Sequence, residues 1–157
     1  TQLHDVCLHL RSHGIPAIAP NGAPFASIQT RAANWAELFH EVRSQLGVEK
    51  LNIIAHSMGG LDMRYAITHL GLAPYVESLT TVATPHHGTV LADLGANTPE
   101  RIREPLKDFL NWVGNNMYPR VESDILAAVS QLTTDYVQHE FNPSTPNVDG
   151  LPYYSYR

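Results

Sequence analysis

Leu51-Asn52-Ile53-Ile54-Ala55-His56-Ser57-Met58-Gly59-Gly60 is the stretch from which the fold can be read. Leu51, Ile53, Ile54 and Ala55 make a short apolar run of the kind found in parallel strands covered on both faces. The run stops at Ser57, and a helix-compatible stretch opens with Met58-Gly59-Gly60. The reading is strand, very tight turn, helix. Ala55 and Gly59 flank the serine at two residues on either side, where a strained turn demands small side chains.

Such a corner has chemical consequences. It lifts the Ser57 hydroxyl above the end of the sheet. The helix beginning at Met58 aims free N–H groups and the positive end of its dipole at the same spot. An ester carbonyl attacked by Ser57 develops its oxyanion there, with the Met58 N–H as donor. The pattern is Ala-x-Ser-x-Gly, one methyl away from Gly-x-Ser-x-Gly.

Ile53 to Tyr65 resembles the nucleophile elbow of α/β-hydrolase lipases. Thr80-Thr81-Val82-Ala83-Thr84-Pro85-His86-His87-Gly88 is similar to the next strand and its Thr-Pro-His-x-Gly loop in the same lipases. Leu132-Thr133-Thr134-Asp135-Tyr136 and Tyr153-Tyr154-Ser155-Tyr156 resemble later segments of bacterial and fungal triacylglycerol lipases. The resemblance implies an α/β-hydrolase sheet with flanking helices and a helical cap or lid. It implies a lipid ester substrate, most naturally an acylglycerol, cleaved through an acyl-enzyme on Ser57.

Composition agrees with a globular chain. The 157 residues suffice for one domain, with 43% hydrophobic and 16% charged residues. A net charge of −5 argues against a nucleic-acid partner. No run approaches the ~18 apolar residues of a membrane span. Cys7 is the single cysteine, which excludes an internal disulfide and leaves the compartment open. No targeting signal is visible at the N-terminus. No cofactor or metal is called for: His9 and His13 share a helical spacing with no third ligand at hand, so they read as a solvated face.

Outward from the serine, strands and helices alternate. Residues 2–13 read as a helix with Leu3, Val6, Cys7 and Leu10 on its buried face, and residues 15–19 as a short strand beginning near Pro16. A long helix runs from Ser27 or Thr30 to Leu46 and buries Trp35, Leu38, Phe39, Val42 and Leu46. The helix after Ser57 reaches Leu70, and residues 78–83 form the next strand. Right-handed crossovers then give a parallel sheet with helices on both faces.

After Pro85 the alternation breaks. Thr98-Pro99 reads as a helix start, the segment holding Leu106, Phe109, Leu110, Trp112 and Val113 as a bulky apolar side, and Val121, Ile125, Ala128, Val129 and Leu132 as an amphipathic helix. Thr133 or Thr134 caps a short helix to Phe141. The expected division is 1–85 as the βα core, 86–142 as a helical cap, and 143–157 as a loop and the start of a strand. A lid that opens toward lipid at a lipid–water interface and a fixed cap are both compatible with this pattern.

A serine nucleophile needs a base and an orienting acid. The resemblance places both beyond the strand that Tyr153 begins, so the expectation is the middle of a longer lipase, cut at both ends. Within the chain, His56, His86 and His87 are candidates for lining the cleft rather than for the base. Asp135 and His139 are four apart and read as a surface pair. Asp62 and Arg64 read as structural salt-bridge partners. Other readings of the same corner are an acyltransferase or amidase, and a non-catalytic module that binds lipid or protein.

Overall fold

A computed structural model describes residues 3–20, 26–97 and 127–157. Three parallel strands form its sheet in the order β1 (Leu51–His56), β2 (Val76–Val82), β3 (Tyr153–Tyr156). Among the described residues the helices include α1 (His4–Ser12), α2 (Ile28–Leu46), α3 (Met58–His69) and α4 (Val90–Asn97), and a π-helical segment, Tyr136–Phe141, comes later in the chain.

Each element starts and stops for a local reason. The Ser27 hydroxyl accepts from the Thr30 N–H at 3.2 Å and caps α2, which ends at Gly47 in the left-handed region. Of its expected stripe only Phe39 is fully buried, Trp35, Leu38, Val42 and Leu46 being half-buried, while its first five residues also bury Ile28, Arg31 and Ala32. Between β1 and β2 the register slips, so Leu51 pairs with Val76 and Asn52 with Ser78. The extra residue, Glu77, lets Val76 and Leu79 both turn inward.

Two cores result. One joins Phe39, Ala55, Met63, Ile67, Leu72, Val76 and Leu79, packing α2 on α3 and α3 on the sheet. The other gathers Ile28, Leu61, Ala92, Val129, Leu132, Val137 and Phe141. It seats the later helical residues on the start of α2 and α3. Gln131 secures this junction, its side-chain carbonyl accepting from the Ile28 N–H at 2.6 Å. A fully buried Leu61 or Leu132 contributes roughly 1.5–3 kcal/mol each.

Several expectations are corrected. Residues 15–19 form no strand among the described residues. Pro16 offers no N–H, the Ala17 carbonyl accepts from Arg11 Nε at 2.6 Å, and the Ile15 N–H donates to the Leu10 carbonyl, so α1 takes up these groups. On α1, Cys7 is buried but Val6 is 41% exposed. β1 is not covered on both faces among the described residues: Leu51, Ile53 and Ala55 turn toward α3, whereas Ile54 is 42% exposed. Of the two expected caps, Thr133 and Thr134, the structure uses Thr133, whose hydroxyl accepts from the Tyr136 N–H. The helix widens to a π-helix rather than staying α. Thr98 to Ile125, including the Trp112 segment, lies outside the described residues.

Candidate active site

At the end of β1 the backbone turns through Ser57 with φ 53° and ψ −131°, and α3 starts at the next residue. Only one other non-glycine residue, Ala83 at φ 50°, has a positive φ among the described residues, and it directly follows the neighbouring strand. Such a conformation costs a serine on the order of 1–3 kcal/mol, so its surroundings must enforce it. The Ser57 N–H donates to the Val82 carbonyl at 2.9 Å. The Ser57 carbonyl accepts from the Gly60 N–H at 3.1 Å and from the Thr84 hydroxyl at 2.8 Å. Ser57 itself is half-buried.

The crowding at this corner falls on Gly60, not on Gly59. A Cβ on Gly60 meets the Thr84 side chain at 2.2 to 2.9 Å, whereas at Gly59 no described atom lies within 4 Å. Gly60 therefore admits Thr84, and Thr84 in turn reaches the serine peptide. Sequence reading missed this role for Thr84. The signal was the second glycine of Gly59-Gly60, which marks a close approach one position later than expected. Met58 occupies the first position of α3, where a helix cannot satisfy its own N–H groups.

The histidines sit differently from one another. His56 closes β1 opposite Val82. His86 hydrogen-bonds Thr81 Oγ1 through Nε2 at 2.9 Å and faces Arg64 Nη1 through Nδ1 at 3.4 Å. Arginine can only donate, so Nδ1 accepts and Nε2 carries the proton. The Thr81 hydroxyl then donates to the Tyr154 carbonyl at 3.1 Å, on β3. Burial first, then the Arg64 charge and His87, push the imidazole down to about 4. This neutral ring ties β2 to α3 through its hydrogen bonds with Thr81 and Arg64, neither of which runs to Ser57.

His86 and His87 lie beside a cleft of about 350 Å³, with Arg64, Thr81, Asn142 and Tyr153, which is distinct from the Ser57 corner. A second, of about 320 Å³, lies beside Lys50, Glu77 and residues 148–152. Neither is lined by Ser57.

The two charged residues after the elbow part company. Asp62 pairs with Arg31, Oδ1 to Nη2 at 2.8 Å and Oδ2 to Nε at 2.9 Å, both side chains buried. Burial pushes the Asp62 carboxyl up, against the pull of the Arg31 charge. Among the described residues Arg64 has no carboxylate partner: it donates to Asn142 Oδ1 at 2.9 Å and to the Thr145 carbonyl at 3.0 Å, with the Phe141 ring 5.1 Å away. Asp135 and His139 pair with each other at 3.0 Å and are both exposed.

The loop after β2 is fastened along its length. Asn142 Nδ2 donates to the His86 carbonyl at 2.8 Å, and Gln138 Nε2 to the His87 carbonyl at 3.0 Å. Gly88, at φ +78°, lies against the backbone of Thr133 and Thr134. The Asp93 carboxylate accepts from both the N–H and the hydroxyl of Thr134, at 2.8 Å each.

Comparison with known proteins agrees with this architecture. The sequence profile of the alpha/beta hydrolase fold matches residues 6–148. Triacylglycerol lipase 2 of Saccharomyces cerevisiae is 39% identical over an alignment of 153 positions that covers 94% of this chain and 42% of that protein. A triacylglycerol lipase of Pseudomonas fragi is 29% identical, over 95% of this chain and 52% of its own length. The chain thus spans about half the length of these curated relatives. The crystal structure of the mature Bacillus licheniformis lipase BlEst2 superposes with a TM-score of 0.67 at 27% identity, covering 85% of this chain and 49% of that one. A polypeptide with parallel strands β1 and β2 joined through a strained serine corner, and with this profile across most of its length, belongs to the α/β-hydrolase fold family.

Proposed function

We propose that this chain is the nucleophile-bearing part of a serine lipase that hydrolyses carboxylic esters of acylglycerols. The observation that carries the reading is the backbone of Ser57, held at φ 53° and ψ −131° between a parallel strand and a helix N-terminus. Resemblance to named triacylglycerol lipases over 94% and 95% of the chain supplies the substrate class.

In this reading Ser57 Oγ attacks the ester carbonyl and the Met58 N–H receives the developing oxyanion. The alkoxide of the glyceride leaves with a proton, and water then releases the fatty acid from the acyl-enzyme. Base and acid are assigned to residues outside these 157. His86 is a poor base, since its acceptor nitrogen faces Arg64 and its other nitrogen is already protonated. Asp135 and His139 are committed to each other on the surface. Residues 86–142 are assigned to a helical cap, and the bulky apolar residues Leu106, Phe109 and Trp112 suit water-insoluble acyl chains presented at a lipid–water interface.

The test is Ser57→Ala in the full-length protein, assayed on a triacylglycerol emulsion and on a soluble short-chain ester. Turnover is expected to fall by at least about 10³-fold. Turnover near the parent rate removes Ser57 from the mechanism. Labelling by a fluorophosphonate at Ser57 separates an enzyme from a binding module, and a competing alcohol as acyl acceptor separates hydrolase from transferase.

A further inference from the structure

We infer that Thr84 is a positioning residue for the reaction, acting through the peptide that joins Ser57 to Met58. The inference rests on the reading of Ser57 as nucleophile and Met58 as oxyanion donor. Its basis is the planarity of that one peptide group: the Ser57 carbonyl and the Met58 N–H point in opposite directions within the same rigid plane. Whatever fixes the carbonyl also fixes the N–H.

The Thr84 hydroxyl donates to that carbonyl at 2.8 Å. It comes from the loop after β2, a different element from the elbow itself. The Gly60 N–H, the carbonyl's other donor, belongs to the same helix turn and moves with it. Thr84 is therefore the external reference against which the peptide plane is set. The hydroxyl is in turn held in place. Gly60 leaves room for it, since even a methyl there meets Thr84 Oγ1 at 2.2 Å. Its own backbone follows Ala83, whose N–H donates to the Tyr156 carbonyl at 2.8 Å and whose φ is 50°. Two residues on, the His86 carbonyl is anchored by Asn142.

Rotating the peptide plane swings the Met58 N–H away from the oxyanion without touching the surfaces that hold the ground-state ester. A hydrogen bond to the carbonyl also polarises the amide, which strengthens its N–H as a donor. Losing the Thr84 hydroxyl should therefore lower kcat and spare KM.

The experiment compares Thr84→Val and Thr84→Ser in the full-length protein, with Ser57→Ala alongside, on a soluble p-nitrophenyl ester. Valine keeps the shape and removes the donor; serine keeps the donor and removes the methyl. The expected result is a fall of about 10–100-fold in kcat for Thr84→Val with KM within about twofold, and return to near the parent kcat for Thr84→Ser. Equal losses in both variants, or a parent-like kcat in the valine variant, overturn the proposal. If Thr84→Val does not fold, the serine variant decides: a tenfold loss with the hydroxyl present overturns it, and a near-parent kcat upholds it. Turnover surviving in Ser57→Ala would instead mean that the underlying assignment of the nucleophile has failed.

Discussion

Gly88→Ala is expected to destabilise the protein by about 2–4 kcal/mol, and the figure divides into two separable parts. The first is conformational. Gly88 has φ +78°, and moving an L-residue into that region costs about 1 kcal/mol. The second is steric. An added Cβ falls 2.5 Å from Thr134 Cα, 2.6 Å from the Thr133 carbonyl oxygen and 2.6 Å from the Thr134 nitrogen. All three are backbone atoms at the start of a helix pinned by Asp93, so no side-chain rotation relieves the overlap. Forcing the two segments apart costs roughly a further 1–3 kcal/mol. Gly150→Ala isolates the first part: φ is +80° there, yet no described atom lies within 4 Å of the new Cβ, so about 1 kcal/mol is expected. Equilibrium urea denaturation of the parent and both variants measures the difference, with equal m-values required for the comparison. Equal losses at Gly88 and Gly150 refute the claim that the loop after β2 is locked against the helix of residues 134–144.

Two other changes test the charged groups. Asp62→Leu leaves the buried Arg31 without its partner and should cost about 3–5 kcal/mol, while Arg31→Met combined with Asp62→Leu should recover most of that; denaturation midpoints of the three variants check it. His86 should remain neutral to well below pH 6.5, because its folded value is about 4. The unfolded chain binds the extra proton between those values, so this group's contribution to stability is complete above about pH 6.5 and is lost as pH falls toward 4. Following the ring proton shift of His86 by NMR checks this directly, and a midpoint above 6 contradicts the Thr81–His86–Arg64 arrangement.

How much of this was legible in the sequence depended on how far apart the interacting residues lie. The serine corner was legible because an apolar strand, a tight turn and a helix start follow one another within ten residues. So was α2, with a start read as Ser27 or Thr30 and a stop at Gly47, and so was a helix start read as Thr133 or Thr134. Each is a local signal. Asp62 read as a salt-bridge partner, but that Arg31 is the residue it pairs with was not legible, since the two lie 31 residues apart. The described acceptors of Arg64, Asn142 Oδ1 and the Thr145 carbonyl, were not legible either, since neutral acceptors carry no sequence signature of pairing. Residues 15–19 had the composition of a strand, but a strand exists only through its ladder, and α1 offered their polar groups an alternative. The π-helical segment follows the same logic: it repeats no sequence pattern, and its wider turn accompanies Gln138 and Asn142 both reaching the loop of His86 and His87.

The distribution of restraints around Ser57 follows from the cost of its conformation. A strained residue relaxes unless the cost of relaxing exceeds the strain, which requires several independent contacts that fail together. The three bonds at Ser57 have this property: Val82 belongs to the neighbouring strand, Gly60 to the following helix, and Thr84 to the next loop. The loop is the element least able to supply such a restraint by itself, since it has no ladder and no helix of its own. It is made stiff from outside, by Asn142 and Gln138 at its carbonyls and by the Gly88 contact at its end. The rigidity of the serine corner is therefore drawn in part from residues 133–142, far from it in sequence. This is why Gly88→Ala should lower stability first and, by loosening the loop that carries Thr84, also loosen the peptide that presents the Met58 N–H.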